Sequence, residues 1–405
     1  MTRPGIAPRQ VRDTRPGLDD TRVGPLADGV PLLARLSGTS AKASPLEFVA
    51  FDWSALSALE PQDVALTYWF DADETWDAYQ VALRFTGQRV DERNTPNGDG
   101  TFQVVTSMND IKQGIGRIAI THRISGEAPG RWRVDAAAMA TLPDSSEPNR
   151  PASQRQLASA AAIGRSIYAP AARQRAPGVI LGAWPALVAL GAIAGISLQS
   201  MLARAADLPS LPIVLLALAS CLVGLVGAKV YYRLTHLGET AGPLVTGASL
   251  QGFVIGALAV FALGSALWQM PLGTVLDVTA PALLLGQAIG RIGCFFGGCC
   301  TGLPTTSRWG LWSSDRRIGV RRIPVQLMES ASAAVLAIAS IAALRSASPS
   351  PQGLVFVAGI SAYIIVRQLL FPLRGVPRKS AHGRIATLVL ASAALIGAGV
   401  TVLMN

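Results

Sequence analysis

The sequence has little charge and few cysteines, and each scarcity narrows the class of protein. Only 15% of its 405 residues are charged whereas 50% are hydrophobic, an apolar surplus larger than one soluble core can bury. Its cysteines, Cys221, Cys294, Cys299 and Cys300, are too few and too clustered for a disulfide framework. No apolar stretch follows the first basic residues, so no cleavable signal peptide is expected. The composition therefore predicts an integral membrane protein.

The basic charge balance does not indicate nucleic-acid binding. The formal net charge is +10, but the arginines of residues 178–405 lie between apolar runs, where basic residues set the orientation of membrane helices. The membrane, and no nucleic acid, is therefore the expected partner of these charges.

The first part of the chain reads as soluble sequence in three segments. Residues 1–35, rich in Arg, Asp, Pro and Gly, predict a disordered tail. Residues 36–142 alternate apolar and polar positions in short runs between turn signals, which predicts an all-β, sandwich-like soluble domain. Residues 143–177, with Pro, Ser, Ala and five arginines, predict a basic linker.

Residues 178–405 predict a multi-pass α-helical membrane domain with about seven transmembrane helices. The joints between the helices are short except for residues 297–323, a long, Arg-rich polar loop after the fourth helix. The predicted helices cover 179–201, 211–233, 246–269, 274–296, 325–345, 352–373 and 384–403.

Polar groups gather at three helix ends that this topology places on one membrane face. Arg291 lies inside the apolar end of the fourth helix, where a cation is costly and marks a partner or an anionic ligand. Guanidinium groups match phosphate, so an anionic phospholipid is the expected ligand. The other two ends carry Gln326 and Glu329 on the fifth helix, and Tyr363, Arg367 and Arg374 on the sixth.

The alternative for basic residues at helix ends is a role as positive-inside anchors or snorkelling side chains. This alternative is the expectation for Arg308, Arg316, Arg317, Arg321, Arg322, Arg378, Lys379 and Arg384. It remains open for Arg291, Arg367 and Arg374.

Several short motifs follow one another along the predicted helices: Asp277-x-x-Ala280-Pro281, Gly290-Arg-Ile-Gly293, Gly302-Leu-Pro-Thr305, Pro324-Val-Gln-Leu-Met-Glu329 and Tyr363-Ile-Ile-Val-Arg367. Through them, residues 178–405 resemble the prolipoprotein diacylglyceryl transferase family. The resemblance implies transfer of the diacylglyceryl group from phosphatidylglycerol to the cysteine thiol of a prolipoprotein, with release of glycerol phosphate. It also implies location in the bacterial plasma membrane and prolipoprotein signal peptides as partners. No cofactor and no metal are expected.

Together, the resemblance and the pattern of polar groups predict the residues of the site. The expected catalytic residues are Arg291, Arg367, Glu329 and Gln251. The residues expected to bind phosphatidylglycerol are Arg291, Arg367, Arg374, Gln326, Asp277, Tyr363 and Gly302.

The sequence departs from the family where the acceptor thiol would be handled. The family's histidine on the third helix falls on Gln251, and an amide cannot take a proton at ordinary pH. The Asn and Glu that follow the family's Gly-Arg signature fall on Cys294 and Cys299. The lipid-phosphate half of the site is therefore retained and the thiol-handling half is altered.

Three hypotheses follow from this departure. The first is a divergent transferase in which Glu329 or a phosphate oxygen is the base, with His236 as a further candidate. In the second the acceptor differs, and the cysteines near residue 299 form an intermediate. In the third the protein is a lipid-binding pseudoenzyme whose β domain recruits a partner.

The sequence leaves the orientation in the membrane undecided. Counting flanking charges places the N-terminus and the 297–323 loop in the cytoplasm. The resemblance implies the opposite, with both outside, where precursors emerge.

Overall fold

The structure is a computed structural model that describes residues 44–50, 59–73, 78–139, 157–236, 249–346, 351–375 and 382–404. The predicted tail at 1–35 lies outside the described residues. Within these ranges the chain forms a β-sandwich followed by a bundle of apolar helices.

Two antiparallel sheets form the β-sandwich, as the alternating pattern predicts. The first joins β1, β2, β5, β10 and β9 in that order, with β8 also paired to β2, and the second has the order β4-β3-β6-β7. Inward side chains of both sheets meet in one core, where Leu83, Phe85 and Trp132 are fully buried. The strands are β1 Leu46–Phe48, β2 Gln62–Asp71, β3 Ala78–Val90, β4 Pro96–Lys112, β5 Arg117–Ser125, β6 Arg131–Ala138, β7 Ala160–Arg165, β8 Ile167–Tyr168, β9 Leu311–Ser314 and β10 Ile318–Arg322.

The second half of the predicted linker 143–177 is instead part of the sandwich. Strand β7 pairs with β6 from Arg131–Arg165 to Ala136–Ala160, and β8 pairs with β2. A single helical turn, Ala169–Ala172, then packs against β2. Small residues such as Ala160 and Ala162 give a weak hydrophobic pattern, so only the pairing partner makes this segment a strand. Residues 140–156, which include two of the five arginines, lie outside the described residues.

The predicted 297–323 loop contains the last two strands of the same sandwich. The hairpin β9–β10 leaves the membrane region and pairs with β5 through Ile318–Ile120 and Gly319–Ala119. The backbone amide of Thr121 also donates to the carbonyl oxygen of Arg317 at 2.7 Å. The sandwich is therefore completed by a segment inserted between two membrane helices.

The described helices confirm the multi-pass membrane domain. Six are long and apolar enough to cross a membrane, and the remaining one, α3, is shorter. The predicted number of about seven is thus met by six full-length helices and one shorter helix. The helices are α1 Ala183–Ala205, α2 Ser210–Thr235, α3 Leu250–Leu267, α4 Leu272–Phe296, α5 Val325–Leu344, α6 Leu354–Leu370 and α7 His382–Met404.

Helix α4 lies at the centre of the bundle because small residues let its neighbours approach closely. A Cβ added at Gly191 of α1 would lie 2.8 Å from the carbonyl oxygen of Gly286 on α4, too close for any side chain. Ser330 of α5 packs on the other side of α4 and donates to the carbonyl oxygen of Ala288 at 2.6 Å.

Helices α4 and α6 run in the same direction. Asp277 near the start of α4 contacts Gly353 at the start of α6, and Gln287 further along contacts Tyr363. One further turn places Arg291 and Arg367 at the same level, near the ends of the two helices. The sandwich hairpin follows α4, so the sandwich and these helix ends are on the same side of the bundle.

Candidate functional site

Two arginines from different helix ends share one buried carboxylate. Arg291 Nε lies 2.7 Å from Glu329 Oε2, and the Arg374 guanidinium contacts Oε1 of the same carboxylate. Arg291 is 6% exposed, Arg374 is 8% exposed and Glu329 is fully buried. We call these three residues the arginine cluster.

The three members of the arginine cluster come from α4, α5 and the end of α6. Arg291 lies in the last turns of α4 and Glu329 in the second turn of α5. Arg374 follows the 3₁₀ turn Phe371–Leu373 that ends α6. Each helix alone would place a charge in an apolar environment, and only their packing pairs these charges.

Gly302 holds Arg374 in place through backbone pairing. Gly302 and Arg374 form an isolated antiparallel bridge, and the amide of Leu303 donates to the carbonyl oxygen of Leu373 at 2.8 Å. The backbone of Ile323 occupies the space that a Cβ at Gly302 would need. The predicted phosphatidylglycerol-binding residue Gly302 thus lies beside the cluster, where its lack of a side chain allows the pairing.

The arginine cluster carries an excess of positive charge. Arg291 and Arg374 outnumber the single carboxylate of Glu329. Arg367, half-buried and at the level of Arg291 on α6, makes no ion pair within the described part of the chain. Such an excess at a helix end favours an anionic ligand.

Tyr363 and Gln326, also predicted from the sequence, lie next to the cluster. The Tyr363 hydroxyl is 3.3 Å from Gln287 Oε1, one turn before Arg291. Gln326 Nε2 donates to the carbonyl oxygen of Cys299 at 3.0 Å, so this amide holds the loop that follows α4. The structure thus shows a backbone partner for Gln326, and its contact with phosphatidylglycerol stays a prediction.

Three thiols adjoin the arginine cluster. Arg291 Nη1 lies 4.0 Å from Cys294 Sγ, and Cys299 Sγ lies 3.7 Å from the carbonyl oxygen of Cys294. Cys300, the next residue of this loop, is exposed. The pKa of the Cys300 thiol is lowered, first by hydrogen bonds from Cys294 and Cys299 and then by the two guanidinium groups.

Asp277, a predicted phosphatidylglycerol-binding residue, is not part of this arrangement. Its carboxylate accepts hydrogen bonds from the backbone amides of Gly353 at 2.7 Å and Phe356 at 2.9 Å. It therefore caps the N-terminus of α6 at the opposite end of α4 from Arg291, about four turns away. The sequence spacing alone did not reveal this partner because it is 76 residues away along the chain.

Gln251, predicted as a catalytic residue, lies in the first turn of α3. Its side chain is exposed and accepts a hydrogen bond from Ser249 Oγ at 2.6 Å. None of the polar contacts described for Gln251 joins it to the arginine cluster. Residues 237–248, which precede it, lie outside the described residues.

A largely apolar cavity adjoins Arg291, one member of the arginine cluster. It has a volume of about 370 Å³ and lies between the first four helices. Its wall includes Arg291 and Cys294 at the polar end. Gly286, Gly290 and Phe253 line the apolar part. A largely apolar cavity with Arg291 in its wall matches the two parts of an anionic phospholipid.

Two arginines expected to be membrane anchors instead hold the hairpin against the helices. Arg322 is 5% exposed, pairs with Asp315 at 2.8 Å and donates to the carbonyl oxygen of Gly302 at 3.1 Å. Arg316 donates through Nε to the carbonyl oxygen of Gly297 at 2.9 Å. Sequence reasoning missed these roles, although Asp315 was the acidic residue in this basic segment that could have indicated a pair.

Comparison with known proteins identifies the family. The family model for prolipoprotein diacylglyceryl transferase matches residues 177–405, more than half of the chain. The chain belongs to the prolipoprotein diacylglyceryl transferase family. The matched region contains all the described membrane helices, the hairpin β9–β10 and the arginine cluster. Strands β1–β8 lie outside it.

Relatives within the prolipoprotein diacylglyceryl transferase family are distant and matched in part. Three of them carry the name phosphatidylglycerol–prolipoprotein diacylglyceryl transferase. The Synechococcus elongatus protein is 34% identical over 32% of this chain and 48% of its own length. The Thermosynechococcus vestitus protein is 30% identical over 36% of this chain and 55% of its own. The Clostridium tetani protein is 27% identical over 50% of this chain and 84% of its own. The chain thus spans about half the length of the first two relatives.

Proposed function

We propose that this protein transfers the diacylglyceryl group of phosphatidylglycerol to the cysteine thiol of a prolipoprotein. The observation that carries the proposal is the buried arginine cluster, one member of which, Arg291, also lines a largely apolar cavity. Acyl chains suit the apolar walls of the cavity, and the phosphodiester suits the guanidinium groups. The names of the related proteins describe the same reaction.

The proposed reaction exchanges one bond at a glyceryl carbon. The sulfur of the acceptor attacks the carbon that carries the phosphate, the carbon–oxygen bond breaks, and its electron pair remains on the phosphate oxygen. Glycerol phosphate leaves with one more negative charge than it had as a diester. Arg291 and Arg374, with Arg367 at the same level, are placed to stabilise that charge.

Glu329 is the counter-ion of this arrangement rather than the base. Its two carboxylate oxygens face two guanidinium groups, and the side chain is fully buried. Because two guanidinium groups contact this one carboxylate, we assign Glu329 the role of their counter-ion. Glu329 instead keeps Arg291 and Arg374 together while no lipid is bound.

A transfer assay tests the proposal. Purified protein in phosphatidylglycerol vesicles is mixed with a peptide bearing a lipoprotein-type cysteine, and the thioether product is detected by mass spectrometry. Arg291→Gln should lower kcat/KM by about 10²-fold or more because it removes a donor to the leaving group. Arg308→Ala is the matched control, since Arg308 is exposed and stacks on Trp309. Equal rates for the two variants would contradict the proposal.

A lipid-binding protein without this transfer activity is the second candidate. The resemblance supports it, since it implies that Gln251 replaces a histidine of the family. It predicts that the wild type binds phosphatidylglycerol but yields no diacylglyceryl peptide. Product from Gln251→His and none from the wild type would identify a protein that kept the lipid site and abandoned this acceptor. In that case the sandwich would recruit a different partner.

For the location, we propose the outer face of the bacterial plasma membrane for both the sandwich and the site. The hairpin β9–β10 follows α4 and belongs to the sandwich, so the sandwich and the site are on the same side of the membrane. A prolipoprotein acceptor emerges outside the cell. The arginines that suggest the opposite orientation include Arg316 and Arg322, which have protein partners and so are not free to act as anchors. A membrane-impermeant maleimide is applied to intact cells, and the labelling of each variant is compared with that of the wild type, which has only the native cysteines. Thr101→Cys in β4 should add a labelled site, and Ser346→Cys should add none. The reverse pattern would place the sandwich in the cytoplasm.

A further inference from the structure

The cavity beside Arg291 exists because the first four helices pack as two close pairs. In the pair α1 and α4, a Cβ added at Gly195 would lie 2.8 Å from the carbonyl oxygen of Ala282. In the pair α2 and α3, a Cβ added at Gly256 would lie 2.9 Å from the carbonyl oxygen of Val223. The backbones thus touch within each pair, and the cavity lies between the two pairs.

The cavity runs along the axes of the helices. On α1 its wall extends from Trp184 to Gln199, and on the antiparallel helix α4 it extends from Cys294 back to Thr279. Arg291 and Thr279 are twelve residues apart on α4, which is about 18 Å along an α-helix. The hydrocarbon of one bilayer leaflet is about 15 Å thick, half of the full core. The cavity is therefore about as long as an acyl chain in the membrane.

A polar pair closes the end of the cavity that is farther from Arg291. Gln199 Nε2 of α1 donates to Thr279 Oγ1 of α4 at 2.7 Å, and this hydroxyl donates to the carbonyl oxygen of Val275 at 2.6 Å. Gln199 is only 2% exposed. Still farther from Arg291, the space between the helices is filled by an apolar cluster that includes Leu202, Leu216, Phe261, Val275 and Val278. The cavity thus has a closed end.

The cavity is open at its side. Val188 and Leu283 belong to its wall and are 40% and 48% exposed. Its volume of about 370 Å³ is near the lower limit of roughly 300–1,000 Å³ for sites that enclose drug-sized ligands. A phospholipid with two acyl chains is larger than such a ligand. One chain can therefore lie inside the cavity while the other remains in the bilayer.

We propose that this cavity binds one acyl chain of the phospholipid substrate and that Gln199 limits the length of that chain. The inference rests on the proposed function and adds a selection for chain length to it. The phosphate lies at Arg291, and the terminal methyl group of the chain points toward Gln199. Arg291 thus recognises the charge of the lipid, and Gln199 is the residue that determines the chain specificity.

The limit is expected to exclude long chains rather than short ones. A chain that is too long must displace the Gln199 side chain and break its hydrogen bond to Thr279. The amide and the hydroxyl would then be left unpaired in apolar surroundings, which is unfavourable. A short chain leaves only part of the cavity empty and loses few contacts.

The first test measures lipid binding without any transfer reaction. The purified full chain in detergent is mixed with phosphatidylglycerols whose two identical chains have about twelve to twenty carbons, a series that brackets the ~18 Å depth. Native mass spectrometry reports which lipids remain bound. The wild type should bind chains longer than its limit about tenfold less than shorter ones, because overpacking is unfavourable. Equal binding across the series would overturn the inference.

Variants of Gln199 test the residue that sets the limit. Gln199→Ala shortens the side chain and should move the limit toward longer chains. Gln199→Met fills about the same space and should keep the limit of the wild type, although its unfolding temperature falls with the loss of the hydrogen bond. A purely structural role would lower the unfolding temperature of both variants and leave the chain length unchanged. An unchanged limit in Gln199→Ala would therefore contradict the inference.

A second pair of variants tests the cavity without altering Gln199. Ala192 lies in the wall about midway between Trp184 and Gln199. Ala192→Trp should fill this part of the cavity and move the limit toward shorter chains. Ile193→Trp is the matched control, because Ile193 is 65% exposed and lies outside the cavity wall. The same chain-length limit in both variants would overturn the inference, and this pair decides the question if Gln199→Ala fails to fold.

The outcomes separate this inference from the proposed function. If the wild type transfers the diacylglyceryl group and binds all chain lengths equally, the inference is wrong and the transferase function stands. If the wild type binds phosphatidylglycerol with a limit that Gln199→Ala moves but yields no diacylglyceryl peptide, the inference stands and the transferase function is wrong. If phosphatidylglycerol neither binds nor reacts, both are wrong.

Discussion

Trp69 of β2 and Trp312 of β9 stack with ring centroids 5.6 Å apart and planes inclined by 19°. The Trp312 indole also donates to the carbonyl oxygen of Arg117 at 3.0 Å. Trp69 belongs to the N-terminal sandwich, whereas Trp312 belongs to the segment between α4 and α5. This contact joins the two regions of the protein.

Trp312→Ala should loosen the sandwich from the helices. Truncation of a buried tryptophan costs about 3–5 kcal/mol, because it removes apolar contacts and leaves a cavity. We expect a lower unfolding temperature in detergent and faster proteolysis within the hairpin. Trp309→Ala is the control, since Trp309 is 75% exposed. Equal unfolding temperatures for the two variants would show that the contact does not stabilise the junction.

Glu329→Gln should destabilise the protein and make its stability depend on anionic lipid. Loss of one partner from a buried ion pair costs about 3–5 kcal/mol, because Arg291 and Arg374 would lose their counter-ion. A phosphodiester can replace that charge, so added phosphatidylglycerol should raise the unfolding temperature more for the variant than for the wild type. Phosphatidylcholine, which is neutral overall, is the control lipid. An equal response to both lipids would argue against an anion site.

Asp277→Ala should affect stability rather than lipid recognition. The substitution removes the cap of α6, which is worth about 0.5–2 kcal/mol. We expect a lower unfolding temperature and an unchanged affinity for phosphatidylglycerol, because the cap lies at the far end of α4 from Arg291. Lipid affinity measured in nanodiscs checks this. A large loss of affinity for phosphatidylglycerol would show that Asp277 is part of the lipid-binding site.

His122 should make the sandwich sensitive to acid. Burial, then Arg123 and Arg317, lower the pKa of His122 below its ordinary value of 6.5, and its ring stacks on Phe85. The unfolded chain therefore binds a proton more readily, so stability is full above about pH 6.5 and is lost as the pH falls through the folded-state pKa. Unfolding temperatures of the full chain at pH 7.5 and 5.5 measure this. His122→Gln should show a smaller difference, and an equal difference would assign the acid sensitivity to other groups.

The sequence by itself determined the class of the protein and much of the site. Long apolar runs determine membrane helices because lipid must cover them, and alternation determines half-buried strands. Arg291 and Glu329 stood out because charges in apolar helices need a partner. The pairing of Glu329 with Arg291 and Arg374 agrees with that expectation.

Only the tertiary structure decided which distant residues become partners. Asp277 proved to be a helix cap, Arg322 a partner of Asp315, and residues 160–168 and 311–322 strands of the sandwich. Each of these outcomes depends on a contact between segments far apart in the chain, and local pattern carries no information about such contacts. Arg374 is the clearest case, because its backbone pairs with Gly302, more than seventy residues earlier along the chain.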